Sequence, residues 1–439
     1  HNLNLENYNS SNLKLSVRKV SMDTYLKIFD QQMTKSKLRP DDFDNLNSSI
    51  KLFLNNEDFN FESGIESYED LQIKNGSDRY QYNLPYYNYD RLISQKYFEG
   101  NISFGSNGNN YLSDTNKLET NITNNITYNS LDYISNFGLK NNFSFSLKNL
   151  NSIGKKTSKY KSNPQIELAS LFNVDFSMPF EKKDENSSNF LTPKLSFRFN
   201  PSDMKNHSSS ENKINVDNIF ALNRLGLSDT LETGKSLTLG LDYSKEKKND
   251  LNEINNYFEL KLATVFRDKE EKFIPNKSTL HKKNSNLFGS ITNKFSDNLD
   301  LGYNFSLNND YNTFEYNDLN ATISINNFIT KFNFIEEHGE TGDANILASS
   351  FEYNIDKKNS FRFQTRRNRK LSLTEYYDLV YEYKNDCLTA GIKYKKTYYS
   401  DGDLRPTENL LFTITLFPLT TYEYAADELI EYYRKKWEI

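Results

Sequence analysis

Residues 299–308 read LDLGYNFSLN. Leu299, Leu301, Tyr303, Phe305 and Leu307 fall on one side of a period of two, and Asp300, Gly302, Asn304, Ser306 and Asn308 fall on the other. Successive side chains of a strand point to opposite faces, so this stretch predicts a strand with one apolar and one polar face. Leu319, Ala321, Ile323 and Ile325 repeat the pattern against Asn320, Thr322, Ser324 and Asn326. The same alternation runs through Phe143, Phe145 and Leu147; Leu195, Phe197 and Phe199; Leu237, Leu239, Leu241 and Tyr243; Phe258, Leu260 and Leu262; and Leu388, Ala390, Ile392 and Tyr394.

Such segments are roughly 9 to 14 residues long, the length of a tilted strand crossing a bilayer, whereas strands of soluble proteins average about 5 to 6. About 20 of them follow one another, which predicts an all-β chain folded as a large antiparallel transmembrane β-barrel. Turns such as Asn308-Asn309-Asp310, Asp356-Lys357-Lys358-Asn359 and Ser400-Asp401-Gly402-Asp403 separate them. Tyr86-Tyr87, Tyr376-Tyr377 and Tyr398-Tyr399 gather near segment ends, where an interfacial aromatic girdle would lie. A soluble sandwich or solenoid would need a second layer to cover so many apolar faces, and the chain supplies none.

Composition agrees. The 439 residues include 30 Tyr and 32 Phe but one Trp, four Met and nine Pro. Aromatics at this level argue against disorder, while the low mean hydropathy fits strands with one wet face. No run approaches the roughly 18 to 20 apolar residues of a membrane-crossing helix, so a helical membrane protein is excluded. The net charge of −5 shows no basic excess of the kind nucleic-acid binders carry. The chain opens on His1 without a signal peptide, and the alternation argues for a missing beginning rather than a cytosolic protein.

The strand succession predicts one barrel domain over residues 1–421 and a charged, helix-favouring tail over 422–439. Two polar insertions, 155–163 and 205–218, read as long water-exposed loops. After the second, residues 219–234, IFALNRLGLSDTLETG, break the alternation and carry structure of their own. His1, His207, His281 and His338 lie far apart, with no metal-ligand spacing, and no phosphate loop, nucleophile elbow or oriented carboxylate pair is present. No enzyme, metal or cofactor is expected. The single cysteine, Cys387, cannot form an internal disulfide; it is either free or has a partner outside these residues.

Several segments resemble the LptD family of lipopolysaccharide-assembly proteins. They are residues 78–89, DRYQYNLPYYNY; residues 219–234 with Gly240-Leu241-Asp242-Tyr243 after them; Arg366-Arg367-Asn368-Arg369; and residues 376–419, where Tyr381-Glu382-Tyr383-Lys384-Asn385-Asp386-Cys387 leads into a final pair of strands. The resemblance spans nearly the whole chain and rests on the order of these segments. It implies the C-terminal barrel of an outer-membrane lipopolysaccharide translocon, part of a barrel of up to about 26 strands. It also implies a periplasmic jelly-roll domain, absent here with the first several strands, an LptE-like lipoprotein plugging the lumen, and an LptA-like periplasmic bridge.

Lipopolysaccharide would enter through the jelly roll and leave into outer-membrane lipid between the first and last strands. By the same resemblance Cys387 is the family's C-terminal cysteine, bridged to the periplasmic domain. Residues 410–419 would be the last strand, with Leu410, Phe412, Ile414 and Leu416 on one face and Pro418 near its end removing a backbone donor. Arg362, Gln364, Arg366 and Asn368, alternating with Phe361 and Phe363, are expected to face a polar lumen with cationic patches, as are Lys393 and Lys395. The alternatives are a general porin or substrate-specific channel, and, from another class, a soluble adhesin-like β-protein.

Overall fold

The computed structural model describes residues 1–29, 39–40, 42–74, 76–93, 99–203, 205–207, 212–248, 254–296, 298–398, 406–416 and 420–425. Among them one antiparallel sheet of 23 strands accounts for most of the chain. Its first part is β1 (Ser10–Ser16), β2 (Asn45–Asn55), β3 (Phe59–Asp70), β4 (Tyr80–Ile93), β5 (Gly100–Ser113), β6 (Lys117–Ser130), β7 (Tyr133–Ile134), β8 (Lys140–Lys155), β9 (Gln165–Ser177), β10 (Phe180–Asp184), β11 (Ser187–Asn200) and β12 (Gly234–Lys248). It continues through β13 (Ile254–Arg267), β14 (Leu287–Ser296), β15 (Leu299–Leu307), β16 (Phe314–Ile325), β17 (Phe328–Glu337), β18 (Asn345–Asn354), β19 (Asn359–Asn368), β20 (Leu373–Lys384), β21 (Leu388–Thr397), β22 (Thr407–Leu416) and β23 (Thr420–Ala425). The only α-helix among the described residues is α1 (Tyr25–Ile28). This is the wall of a large antiparallel β-barrel, as the alternation predicts.

Each strand pairs with its neighbour in sequence, except that β8 takes both β6 and β7, and β11 takes both β9 and β10. These are single wall positions with an interruption. At the second one, Pro179 and Pro193 sit in the gap where the β9 ladder ends at Ser177↔Lys194 and the β10 ladder begins at Phe180↔Leu191. Neither proline has an N–H to give, so the ladder breaks there, and the Met178 N–H spans the gap to the Pro193 carbonyl at 3.2 Å.

One expectation is corrected at the C-terminal side. Residues 410–419 are not the last strand: Thr420–Ala425 pairs with β22, Leu416 opposite Thr420 and Leu411 opposite Ala425. Residues 422–425, expected in the tail, therefore belong to a strand. Thr420, Thr421, Tyr422 and Tyr424 are β-branched or aromatic residues that favour a strand here. Cys387 accordingly heads the third strand from the end of the described sheet rather than the next to last. Residues 426–439 of the predicted tail and Pro418 lie outside the described residues.

The two faces of the sheet differ. One carries exposed apolar side chains, among them Ile166, Leu168, Phe197, Leu239, Leu241 and Ile323. The other carries buried polar groups, with Ser144, Ser146, Lys148 and Ser152 alternating along β8 and Ser196, Arg198 and Asn200 along β11. The two ends differ as well. At one, connections are short, as at 56–58, 326–327, 355–358 and 385–387; at the other lie the long connections 71–79, 156–164, 201–233 and 268–286.

The long connections turn back over the polar face. Ile214, Ile219, Leu225 and Leu227 of the 201–233 loop pack with Ile274 and Leu280 of the 268–286 loop against Ala263, Val265 and Phe288 of the wall. A second cluster joins Tyr160 and Leu231 to Leu150, Ala169 and Leu171. Each fully buried leucine contributes about 1.5 to 3 kcal/mol. The expectation of two water-exposed insertions is thus corrected in part: Tyr160 and Ile214, one in each, are buried because the wall beneath them is apolar on its inner side.

Close approach of loop to wall depends on Gly240, whose missing side chain leaves room for Phe220; a Cβ there would meet the Phe220 ring at 2.6 and 2.9 Å. Gly240→Val should therefore lift the loop, at about 1 to 3 kcal/mol of overpacking. Trypsin cleavage after the buried Arg224 is expected to speed up roughly tenfold or more in the folded protein. An unchanged cleavage rate would show that the loop is not held down at this point.

Candidate functional site: a loop pinned to the inner wall

Within the loop, residues 219–227 are braced by bonds of their own. The Asn223 side chain accepts from the Leu227 N–H and donates to the Leu227 carbonyl, both at 3.1 Å, closing a turn. Gly226 in that turn has φ +67°, a left-handed conformation that favours glycine. Arg224 then points inward and donates to the Ile219 carbonyl at 3.1 Å.

The centre of the contact is one carboxylate. Glu232 accepts from Arg224 at 2.6 Å (Nε) and 2.5 Å (Nη2), from Arg198 of β11 at 3.1 Å, and from Arg267 of β13. All four side chains are nearly inaccessible to water. Arg224 also reaches Thr238 at 2.9 Å and Ser236 at 3.1 Å, Arg198 donates to the Ala221 carbonyl, and Arg267 donates to the Thr233 carbonyl at 2.8 Å. From the other side Lys148 of β8 gives its three protons to the carbonyls of Leu227, Ser228 and Thr230 at 3.2, 3.2 and 3.1 Å. That is the full donor set of an ammonium, so burying it leaves no unmet group. Asn200 adds a bond to the Glu232 carbonyl at 3.0 Å.

Burial by itself raises a carboxyl's pKa, but here the guanidiniums of Arg224 and Arg267 outweigh it and hold Glu232 far below the ordinary glutamate value of 4.5. The loop also reaches further round the wall, where Lys213 pairs with Glu337 of β17. Neither Glu232 nor Lys148 was singled out from the sequence. The break in alternation over 219–234 marked the loop, and Arg198 stood on the polar side of its strand, but nothing local in sequence connects Lys148 to a segment about eighty residues later.

The predicted lumen residues fall on the same face as this loop. The register carries that face continuously from buried Ser306, through Tyr316, Glu337 and Asp318, to Glu352 opposite Arg362, Ser350 opposite Gln364 and Ala348 opposite Arg366. It continues with Val380 opposite both Arg362 and Lys393, and Asp378 opposite both Gln364 and Lys395. The cations there are paired: Arg362 with Glu352 at 3.5 Å, Arg366 with Glu375 at 2.9 Å, Lys393 with Asp378 at 3.2 Å, while Lys395 sits 5.6 Å from the Tyr376 ring. This stretch is a mixed-charge surface, not the cationic patch expected. Asn368 is drawn into the turn beyond β19, accepting from the Leu371 N–H at 3.1 Å.

Leu410, Phe412, Ile414 and Leu416 share the opposite, apolar face, lying across from Tyr394, Ile392, Ala390 and Leu388. Cys387 is exposed in the short turn between β20 and β21, where Asn385 accepts from the N–H groups of Cys387 at 3.0 Å and Leu388 at 2.8 Å.

A family model described as LptD, LPS transport system D, matches residues 1–358. A search of curated proteins finds no match. Among solved structures, the chain is similar to a mutant ferric enterobactin receptor, PfeA, of Pseudomonas aeruginosa in complex with enterobactin (9% identity over 87% of this chain and 73% of that one, TM-score 0.39). The siderophore receptor PirA of Acinetobacter baumannii gives 7% identity over 86% and 72%, TM-score 0.40. The FrpB iron transporter of Neisseria meningitidis gives 9% over 86% and 72%, TM-score 0.34.

Removing the central carboxylate should leave three buried guanidiniums uncompensated, so Glu232→Gln is expected to cost about 3 to 5 kcal/mol at neutral pH. The sign of the pH dependence follows from the lowered pKa: the stabilisation is complete above the unfolded value of 4.5 and is lost as pH falls toward the folded one. Between pH 7 and pH 3 the gap between wild type and Glu232→Gln should therefore shrink by about 2 kcal/mol. Urea unfolding in lipid vesicles at the two pH values measures it, and a gap that stays constant contradicts this account of Glu232.

Proposed function

Because the chain belongs to the LptD family, a family of outer-membrane lipopolysaccharide transport, we propose that this multi-pass β-barrel is the translocon itself, delivering lipopolysaccharide through its lumen into the outer leaflet. The observation that carries the reading is the match over residues 1–358, which spans β1 to β18 and includes the pinned loop. The division of the inner wall supports it. Loops 201–233 and 268–286 cover the wall from β8 to β14, whereas Arg362 and Arg366 further round remain open to water. A charged sugar headgroup would travel along that uncovered, hydrogen-bonding stretch while its acyl chains stay with the apolar outer face. The uncovered stretch also leaves space for an LptE-like lipoprotein plug.

Long connections mark the cell-surface end of outer-membrane barrels and short turns the periplasmic end. In that orientation the Cys387 turn faces the periplasm, where a disulfide to a periplasmic domain, itself docked on an LptA-like bridge, can form. For the lateral exit, the seam lies between the first and last strands of the wall, with β23 on its C-terminal side. A general porin or substrate-specific channel is the second reading, and a loop folded over the inner wall is compatible with it.

Depletion of the protein in cells should stop newly made lipopolysaccharide from reaching the surface; continued arrival would sink the translocon reading. Cys387 in the full-length protein should resist maleimide without reductant and become labelled after reduction. A thiol that labels directly argues against the bridge.

A further inference from the structure

We propose that the rim of the barrel carries a binding site for a phosphorylated saccharide, in the cavity between the 156–164 connection and residues 203 and 205–207. The cavity measures about 820 Å³, within the roughly 300 to 1,000 Å³ of small-molecule sites, and it opens at the end of the long connections. Lys159, Tyr160, Lys161, Glu167, Lys205 and His207 line it, with serine, asparagine and glutamine groups between them.

Several lysines of the inner wall are paired: Lys51, Lys261 and Lys393 lie 2.5, 2.9 and 3.2 Å from a carboxylate. The carboxylates lining the cavity are Glu167 and Asp203. Glu167 accepts the Lys205 backbone N–H at 3.3 Å and lies 3.4 Å from His207 Nε2. Asp229 beneath takes the His207 backbone N–H at 2.8 Å, and Glu119 takes Thr157 at 2.6 Å and lies 3.7 Å from Lys159. No carboxylate among the described residues stands within 4.0 Å of the ammonium of Lys161 or Lys205. Lys161 and Lys205, without a carboxylate at hand and beside the Ser152, Ser158, Gln165 and Asn206 side chains, recognise a phosphate on a polyhydroxylated ligand.

The walls are fixed before any ligand arrives. Tyr160 is buried against Leu150 and Leu171, its ring lies 5.2 Å from that of His207, and the Lys161 carbonyl accepts the Gly154 N–H at 2.7 Å. A site built this way loses little side-chain freedom on binding.

The source of the saccharide rests on the transport reading: it is the phosphorylated core of a lipopolysaccharide, either one leaving the barrel or one already seated in the surrounding leaflet. The test uses the protein in phospholipid nanodiscs, titrated calorimetrically with deacylated, phosphorylated core oligosaccharide. Wild type should bind. Binding should weaken about tenfold or more in Lys161→Gln/Lys205→Gln, and equally on enzymatic dephosphorylation of the oligosaccharide, while Lys182→Gln at the opposite end changes nothing. Wild-type protein that does not bind, or a double variant that binds like wild type while migrating as a folded barrel in unheated gels, overturns the site.

Nanodiscs that also contain intact lipopolysaccharide separate the two sources. If the soluble probe is competed away, the occupant is a leaflet neighbour; if it still binds, the occupant is a molecule in transit. Failure of the site leaves lipopolysaccharide transport untouched, because transport is judged by depletion in cells and not by this titration.

Discussion

A carboxylate shared by three arginines is the constraint on which the loop-filled side of the barrel depends. Glu232 binds one arginine of its own loop and two of the wall, so it is at once the loop's internal brace and its anchor. Burying an isolated charge is prohibitive, and the cluster exists only because every member is bonded. Its geometry is demanding for the same reason. The apolar contacts around it tolerate small shifts, whereas the guanidiniums need the carboxylate within bonding distance.

This anchoring divides the inner surface into two unlike regions. From β8 to β14 the polar face is covered by folded chain and its polar groups bond to protein. From β18 to β21 the same face is more open to water, and several of its charges are held in cross-strand pairs such as Glu352 with Arg362 and Asp378 with Lys393. Exposed pairs of this kind contribute little stability, about 0 to 1 kcal/mol each. Their consequence is electrostatic: this stretch of the inner face presents alternating sign rather than a cationic sink.

The wall was legible in the sequence because a period of two is local. Leu299 to Leu307 announce a strand without reference to any other segment, and the positions predicted to share a face do so. What escaped was long-range or subtle. The wall partners of Glu232 lie 34 and 35 residues away on strands whose register must first be known. β23 escaped because Pro418 resembles a strand terminator, and the short Thr420 to Ala425 run looks like the start of a charged tail. Arg362 and Lys393 were placed on the polar side by alternation alone, but their carboxylate partners, across the ladder, set the net charge of the surface.

Lys148, Arg198 and Arg267 come from three separate strands, and each points inward only in the observed pairing. Because side chains alternate, a slip of one residue in β8 would send Lys148 into hydrocarbon and present Leu147 or Asn149 to the loop instead. The loop can then find no partner for its carbonyls, and the same holds for Glu232 if β11 or β13 is out of step. The loop thus acts as a gauge of register: it closes only on a sheet whose strands have been counted correctly.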